Sequence, residues 1–500
     1  MEIMYFYLIL INLLYSIKST SIIIPLETFQ TKREDSDYNS LIDDLFNSNL
    51  ASTIKIGSQL YPLKAFYNTN NPFFFISKGC YIEESSNFDY KSNFNYNRYQ
   101  SQSFLAATSF DLSFGKSSHA CKASENFEFY SSEKKNIKIE KLDFILNEDT
   151  NENIPNCLYI GLSENQNKES SFKEMNLISQ LKQKNYIKEY IWYITFNIAT
   201  KYTNNYLLYD PDELINLKGN LIIGDFPHNY DSKNYYKSQL VRTYTIFSEN
   251  IMKWEMKFNK IYYKFNNKEE GILDLNVILD PSNYLIYAPK EYFDSITKNF
   301  FQQYLDEEIC NLYFFEEYSS INCEKSDKFS IKEIKTFPSL YFAHSKLGYT
   351  FEFSYKDLFV EKNNIYSFLI ISDNLFYTSG WTIGNILFRK YQFIFNLDTK
   401  EIGFYNPILN KEEDHYEEDY KTKGTSSNTI LIIILIISLC IISIGLGLFI
   451  RDKFYPKLSK KKRANELDDD YEYIIDKNIK DNIKENNQIY DNNKLINNDN

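Results

Sequence analysis

The sequence predicts an all-β globular portion of mostly antiparallel strands with helices as accessories, followed by one membrane-spanning helix near the C terminus. Three observations predict it. From about residue 50 to 408 the chain is a succession of short runs that alternate apolar and polar residues, or concentrate β-branched and aromatic ones, between polar turns. Only a few stretches carry helical spacing. Residues 429–450, "TILIIILIISLCIISIGLGLFI", form 22 positions without a charge, long enough for a spanning helix.

Taken in order, residues 3–15 are an apolar block too short to span a bilayer, ending in small residues near Ser19 and Ser21. This predicts a secretory signal peptide over residues 1–20, although Glu2 and the lack of an early Lys make its n-region atypical. Residues 21–49 read as a polar, mixed linker or short pro-like segment in which "IIIPLETF" is a remnant strand. Strands are then expected at "STIKIGS", "FDLSFG", "EYIWYITFNI", "GNLIIGD", "WEMKFNKIYYKF", "LDLNVILD" and "YQFIFNLDTKEIGFY". Helical spacing appears at "SFKEMNLISQLKQK", with Phe172, Met175, Ile178 and Leu181 in steps of three, and at "PKEYFDSITKNFFQQYL", where Pro289 suits a first-turn position. Residues 411–428 form an acidic stalk. After the apolar stretch come Arg451, Lys453, Lys457 and the basic run 460–463, a stop-transfer pattern that makes residues 451–500 cytoplasmic and the bulk of the chain lumenal or extracellular. The tail is acidic, Asn-rich and too poor in apolar residues to fold alone; its residues 471–474 fit a Tyr-x-x-apolar sorting signal. The expectation is a single-pass type I protein of the plasma membrane or endomembranes.

Composition narrows the functional classes. A net charge of -12 without a basic stripe argues against a nucleic-acid surface. Apolar residues make up 43% and aromatic ones 17%, so Tyr and Phe must supply much of the core. Cys440 lies in the apolar stretch, which leaves Cys80, Cys121, Cys157, Cys310 and Cys323 in an oxidising compartment. Cys310 and Cys323 are the natural pair, and the pairing of the other three stays open. His119, His228, His344 and His415 are scattered without metal-ligand spacing, so no metal and no cofactor is expected. Neither a phosphate-binding Gly-rich loop nor a nucleophile elbow is present.

One design occurs twice. "LKAFYNTNNPFFFIS" and "LNVILDPSNYLIYAP" are each an apolar strand, a four-residue polar turn and another apolar strand, and each is followed far downstream by a hydrophobic stretch ending in Gly, at Gly161 and Gly384. Here the chain resembles the pepsin-like aspartic proteases, a bilobal family with one Asp-Thr/Ser-Gly turn per lobe. "STIKIGSQLYPLKAFYNTNNPFFFIS" is similar to the family's opening strand and first catalytic loop, "FDLSFGKSS" to its flap, "GNLIIGDFP" to the start of its second lobe and "GWTIGNILFRKYQFIFNLDTKEIGFYNP" to its closing strands. The resemblance covers roughly residues 50 to 408 and implies lobes at 50–215 and 216–410 with a cleft between them.

In this family two carboxylates share a proton and a water; like charges so close cannot both ionise, and the pair serves as general base and acid. Asp280 keeps the second position, and Asn68 replaces the first. An amide can hold a water but cannot take its proton. No register shift restores the acid, because no Asp or Glu lies between Asp44 and Glu83. Pro281 removes a donor from the second turn, while Asn70 in the first turn and Ser282 in the second replace the glycine that the family has in each. The resemblance further implies that Thr69, Asn70, Phe114, Gly115, Ser282 and Asn283 face the cleft, Phe114 in place of a flap Tyr. The expected protein is a membrane-anchored, catalytically inactive homologue that binds extended polypeptide in its cleft. The alternative is a working aspartic-type endopeptidase using Asp280.

Overall fold

Alternation in the sequence becomes burial on one face of each strand. In Ser48–Ile56, Leu50, Ser52, Ile54 and Ile56 turn inward while Thr53 and Lys55 point outward, the period-2 pattern of a half-buried strand. The computed structural model describes residues 21–30, 41–69, 73–77, 101–103, 105–110, 120–131, 135–147, 158–163, 175–197, 208–246, 253–266, 268–315, 318–373 and 380–409. The chain divides into two units, Met1–Lys411 and Glu412–Asn500, and every described residue belongs to the first. The predicted signal peptide, stalk, apolar span 429–450 and tail lie outside the described residues, as do Asn70, Phe114, Gly115, Cys80 and Cys157. Among the described residues no helix is long and apolar enough to cross a membrane.

Two sheets carry the fold. A 13-stranded sheet runs from Leu240–Tyr244 through Glu401–Tyr405, Phe393–Asn396, Ile191–Phe196 and Lys218–Ile223 to Ile22–Gln30, then through Ser48–Ile56, Tyr61–Asn68, Leu158–Gly161 and Phe74–Ser77 to the long hairpin Ala120–Ser131/Asn136–Asn147 and Leu105–Phe110. An 11-stranded sheet gathers the strands between Glu255 and Ile383. The closing hairpin of the chain thus joins the first sheet rather than the second, through Phe395 opposite Trp192. Trp192 stacks on Phe395 with ring centroids 4.2 Å apart and meets Trp254 edge-on at 6.0 Å. Aromatic packing of this kind welds residues from both halves of the chain into one core.

The strand expected at "IIIPLETF" is present, but the polar-linker reading of residues 21–49 needs correction. Ile22–Gln30 is an inner strand, antiparallel to Lys218–Ile223 on one side (Ile22 opposite Ile223) and to Ser48–Ile56 on the other (Gln30 opposite Ser48). Ile22, Ile24 and Leu26 are buried, and the short helix Leu41–Phe46 buries Leu41, Ile42 and Leu45. Polar neighbours hid these apolar positions, because three alternate side chains are a weak signal until strands flank them on both sides. That helix also reaches the second half of the chain: Tyr313 Oη donates to Asp43 Oδ2 at 2.7 Å, and Lys362 pairs with Asp44 at 2.9 Å.

Most other expectations hold, with shifted ends. The first predicted helix is Leu177–Gln183, started by Asn176, whose side chain accepts from the Ser179 N–H at 3.0 Å. The second is interrupted: Lys290–Ile296 leads into a π turn, Thr297–Phe301, and then Gln302–Asp306. Pro289 stands at its N-cap, one position before the first turn. Cys310 and Cys323 face each other on paired strands and form a disulfide. His344 is a packing residue, 5% exposed, whose Nδ1 accepts the Leu347 N–H at 3.1 Å.

Candidate functional site: a single buried carboxylate between two turns

The two repeated strand–turn–strand units are built alike. Strand Tyr61–Asn68 runs parallel to Leu158–Gly161, with Asn68 opposite Gly161, and Lys268–Leu279 runs parallel to Trp381–Ile383, with Leu279 opposite Ile383. The turns are tied to those partners by backbone bonds. Leu162 N–H donates to Asn68 O and Gly161 N–H to Phe73 O, both at 2.9 Å; in the second unit Asp280 N–H donates to Ile383 O at 3.0 Å and Asn385 N–H to Asn283 O at 2.6 Å. The Gly singled out in the second unit has a steric reason to be there. A Cβ on Gly384 would come within 2.3 Å of Asn283 O and 2.7 Å of Leu285 O, so any side chain would force the turn and its partner strand apart.

This geometry brings Thr69 of the first turn against Asp280 of the second. Thr69 Oγ1 donates to Asp280 Oδ1 at 2.8 Å, and both residues are buried. Ser282 adds its N–H at 3.1 Å and its hydroxyl at 2.5 Å to the same oxygen, while Asn283 Nδ2 reaches Oδ2 at 2.9 Å. An ionised carboxylate offers about four acceptor directions. Three donors crowd Oδ1 and one occupies Oδ2, so little of Asp280 is left to hold a water or a substrate group. Burial raises the Asp280 pKa above the usual carboxylate value, and the hydrogen bonds from Ser282 and Thr69 pull it partly back.

The sequence picked out Asp280, Thr69, Ser282 and Asn283, and the structure gathers all four. Their arrangement was not legible in it. Thr69, Ser282 and Asn283 were expected to face a ligand, yet each is a donor to Asp280. Asn68 stands at the end of its strand, directly before Thr69, with its carbonyl held by Leu162. Asn70, Phe114 and Gly115 fall outside the described residues.

Four supporting residues escaped sequence reasoning. Trp254 Nε1 donates to Leu162 O at 2.9 Å, locking the chain beyond the first Gly. Thr28 Oγ1 and Tyr284 Oη share a hydrogen bond of 2.7 Å, so the N-terminal strand buttresses the second turn. Asn385 is fully buried beside Gly384, and neither atom of its side-chain amide has a hydrogen-bond partner. None of these carries a motif; each is polar only at the tip and reads as core filler or turn residue. No group of His, Cys, Asp and Glu among the described residues is placed to hold a metal ion.

No family model matches the chain, and no curated protein matches it by sequence. Solved structures do. Conglutin gamma, a basic 7S globulin from lupine seeds, superposes with a TM-score of 0.51 at 11% identity over 78% of this chain and 96% of its own. Basic 7S globulin from soybean superposes with a TM-score of 0.50 at 12% identity, covering 77% and 95%. Identity this low speaks to the fold alone. On that evidence the chain has a mostly β, two-sheet architecture of the pepsin-like kind, similar to that of the basic 7S globulins.

Proposed function

We propose that the protein is a catalytically inactive relative of the pepsin-like aspartic peptidases, carried on a membrane by the apolar span 429–450, whose ectodomain binds extended polypeptide between its two lobes. The observation that carries the inactive reading is the hydroxyl of Thr69 on Asp280 Oδ1. Where the chemistry needs a second titratable group, the first turn offers Asn68 and a threonine hydroxyl that serves as a donor. Neither can take a proton from water near neutral pH, and loss of a positioned base costs about a hundredfold to ten-thousandfold in rate. Peptide binding would use added-strand hydrogen bonds along the cleft, as at other sheet edges.

Peptide cleavage by the purified full-length protein from acid to neutral pH tests the reading, beside Asp280→Ala and Asn68→Asp variants. The expected outcome is no cleavage by the parent or by Asp280→Ala, and weak acid-dependent cleavage by Asn68→Asp. Cleavage by the parent that Asp280→Ala abolishes would establish the endopeptidase alternative. Binding is measured separately, with a peptide library on the immobilised parent; absence of any retained peptide removes the ligand-binding half of the proposal.

A further inference from the structure

A second site lies in the half of the chain after residue 250, apart from the donors gathered on Asp280. Between the hairpin Glu255–Phe265/Lys268–Leu279, the helix Lys290–Ile296 and the strand Trp381–Ile383 opens a cavity of about 410 Å³. That volume falls in the range of small-molecule pockets. Three aromatic side chains form a corner in its wall. Tyr263 meets Tyr292 with ring centroids 5.6 Å apart and planes at 87°, and Tyr292 meets Trp381 at 4.7 Å and 60°.

Beside this corner stands an anion with no cation paired to it. Glu270 accepts the Tyr263 hydroxyl at 2.5 Å, the Ser295 hydroxyl at 2.8 Å and Asn299 Nδ2 at 3.1 Å. All three donors are neutral, and they hold the carboxyl below its ordinary pKa, the Tyr263 hydroxyl most of all. Among the described residues no Lys or Arg forms an ion pair with Glu270; Lys268 acts on it only from beyond that range. Glu291 adds a second carboxylate to the same lining. Two polar groups of these lining residues are buried in the packing behind the cavity wall and unsatisfied. The Tyr292 hydroxyl and Trp381 Nε1 have no hydrogen-bond partner, in residues only 7% and 1% exposed. Buried polar groups of this kind are normally paired, and an indole N–H can only donate.

Aromatic side chains and a fixed carboxylate select an organic cation. We propose that this cavity binds a small organic primary amine, its ammonium against Glu270 and the Tyr263–Tyr292 corner. The site is independent of the interlobe cleft.

Calorimetric titration of the full-length protein at neutral pH with tyramine, and with 4-ethylphenol as its uncharged counterpart, tests this. One saturable site for tyramine is expected, with at least tenfold weaker binding of 4-ethylphenol. Glu270→Gln should weaken tyramine tenfold or more, with circular dichroism as the check on folding. No saturable tyramine binding into the millimolar range overturns the proposal. So does equal affinity for the two compounds, which needs no variant, or affinity unchanged in a folded Glu270→Gln protein.

Discussion

Asp280 stands where the resemblance to aspartic proteases expects a catalytic acid, and donors surround it. Its oxygens accept from Thr69, Ser282 and Asn283, so the residue ties the two turns together. A pH effect of the opposite sign comes from His344. Burial holds its pKa down at about 4, against an ordinary 6.5. Between those values the unfolded chain binds a proton that the folded one does not, so stability rises with pH there and is lost as pH falls from 6.5 to about 4. The expected outcome is a melting temperature that drops over this window in the parent and drops less in His344→Gln, measured by thermal unfolding at steps of pH. Equal slopes would show that His344 accepts its proton inside the fold.

At the scale of elements, each turn depends on a strand brought from far along the chain. Gly384 is the tightest point, since a Cβ there meets two carbonyl oxygens. Gly384→Ala should cost about 2 kcal/mol or more, in the range of overpacked cores, read as a lowered midpoint in urea with little change in slope; a loss below about 0.5 kcal/mol would mean that the turn yields easily. The strand Ile22–Gln30 has a larger role. It fills the gap between Lys218–Ile223 and Ser48–Ile56 and buries Ile22, Ile24 and Leu26. Without it two strand edges and their apolar faces would be open to water. A chain lacking residues 21–30 is therefore expected to aggregate or to bind the dye ANS strongly; a soluble product with native near-ultraviolet dichroism would show that the neighbouring strands close over the gap.

At the scale of the molecule, the 13-stranded sheet takes strands from both halves of the chain, and the Trp192–Trp254–Phe395 cluster packs across them. Lobes that share a sheet cannot lose one partner without exposing the other's core. One cooperative calorimetric transition is expected for the folded portion, with calorimetric and van't Hoff enthalpies in agreement. Two resolved transitions would mean that the lobes are stable alone.

Local chemistry decided what the sequence could determine. Alternating runs such as "STIKIGS" and "WEMKFNKIYY" set strand positions because the side-chain period of a strand is written in neighbouring residues. The repeated strand–turn–strand unit marked Asp280, and the absence of any acid near Asn68 marked the missing partner, since residue identity alone fixes which groups can titrate. Cys310 and Cys323 could be paired because the loop between them is short. Tertiary structure decided the rest. That Thr69 rests on Asp280, that Thr28 supports Tyr284, and that Tyr263, Tyr292 and Trp381 share one cavity are facts about residues tens to hundreds of positions apart. No local pattern encodes such meetings. They follow from which strands pair and from the packing of a core that exists only once both sheets have formed.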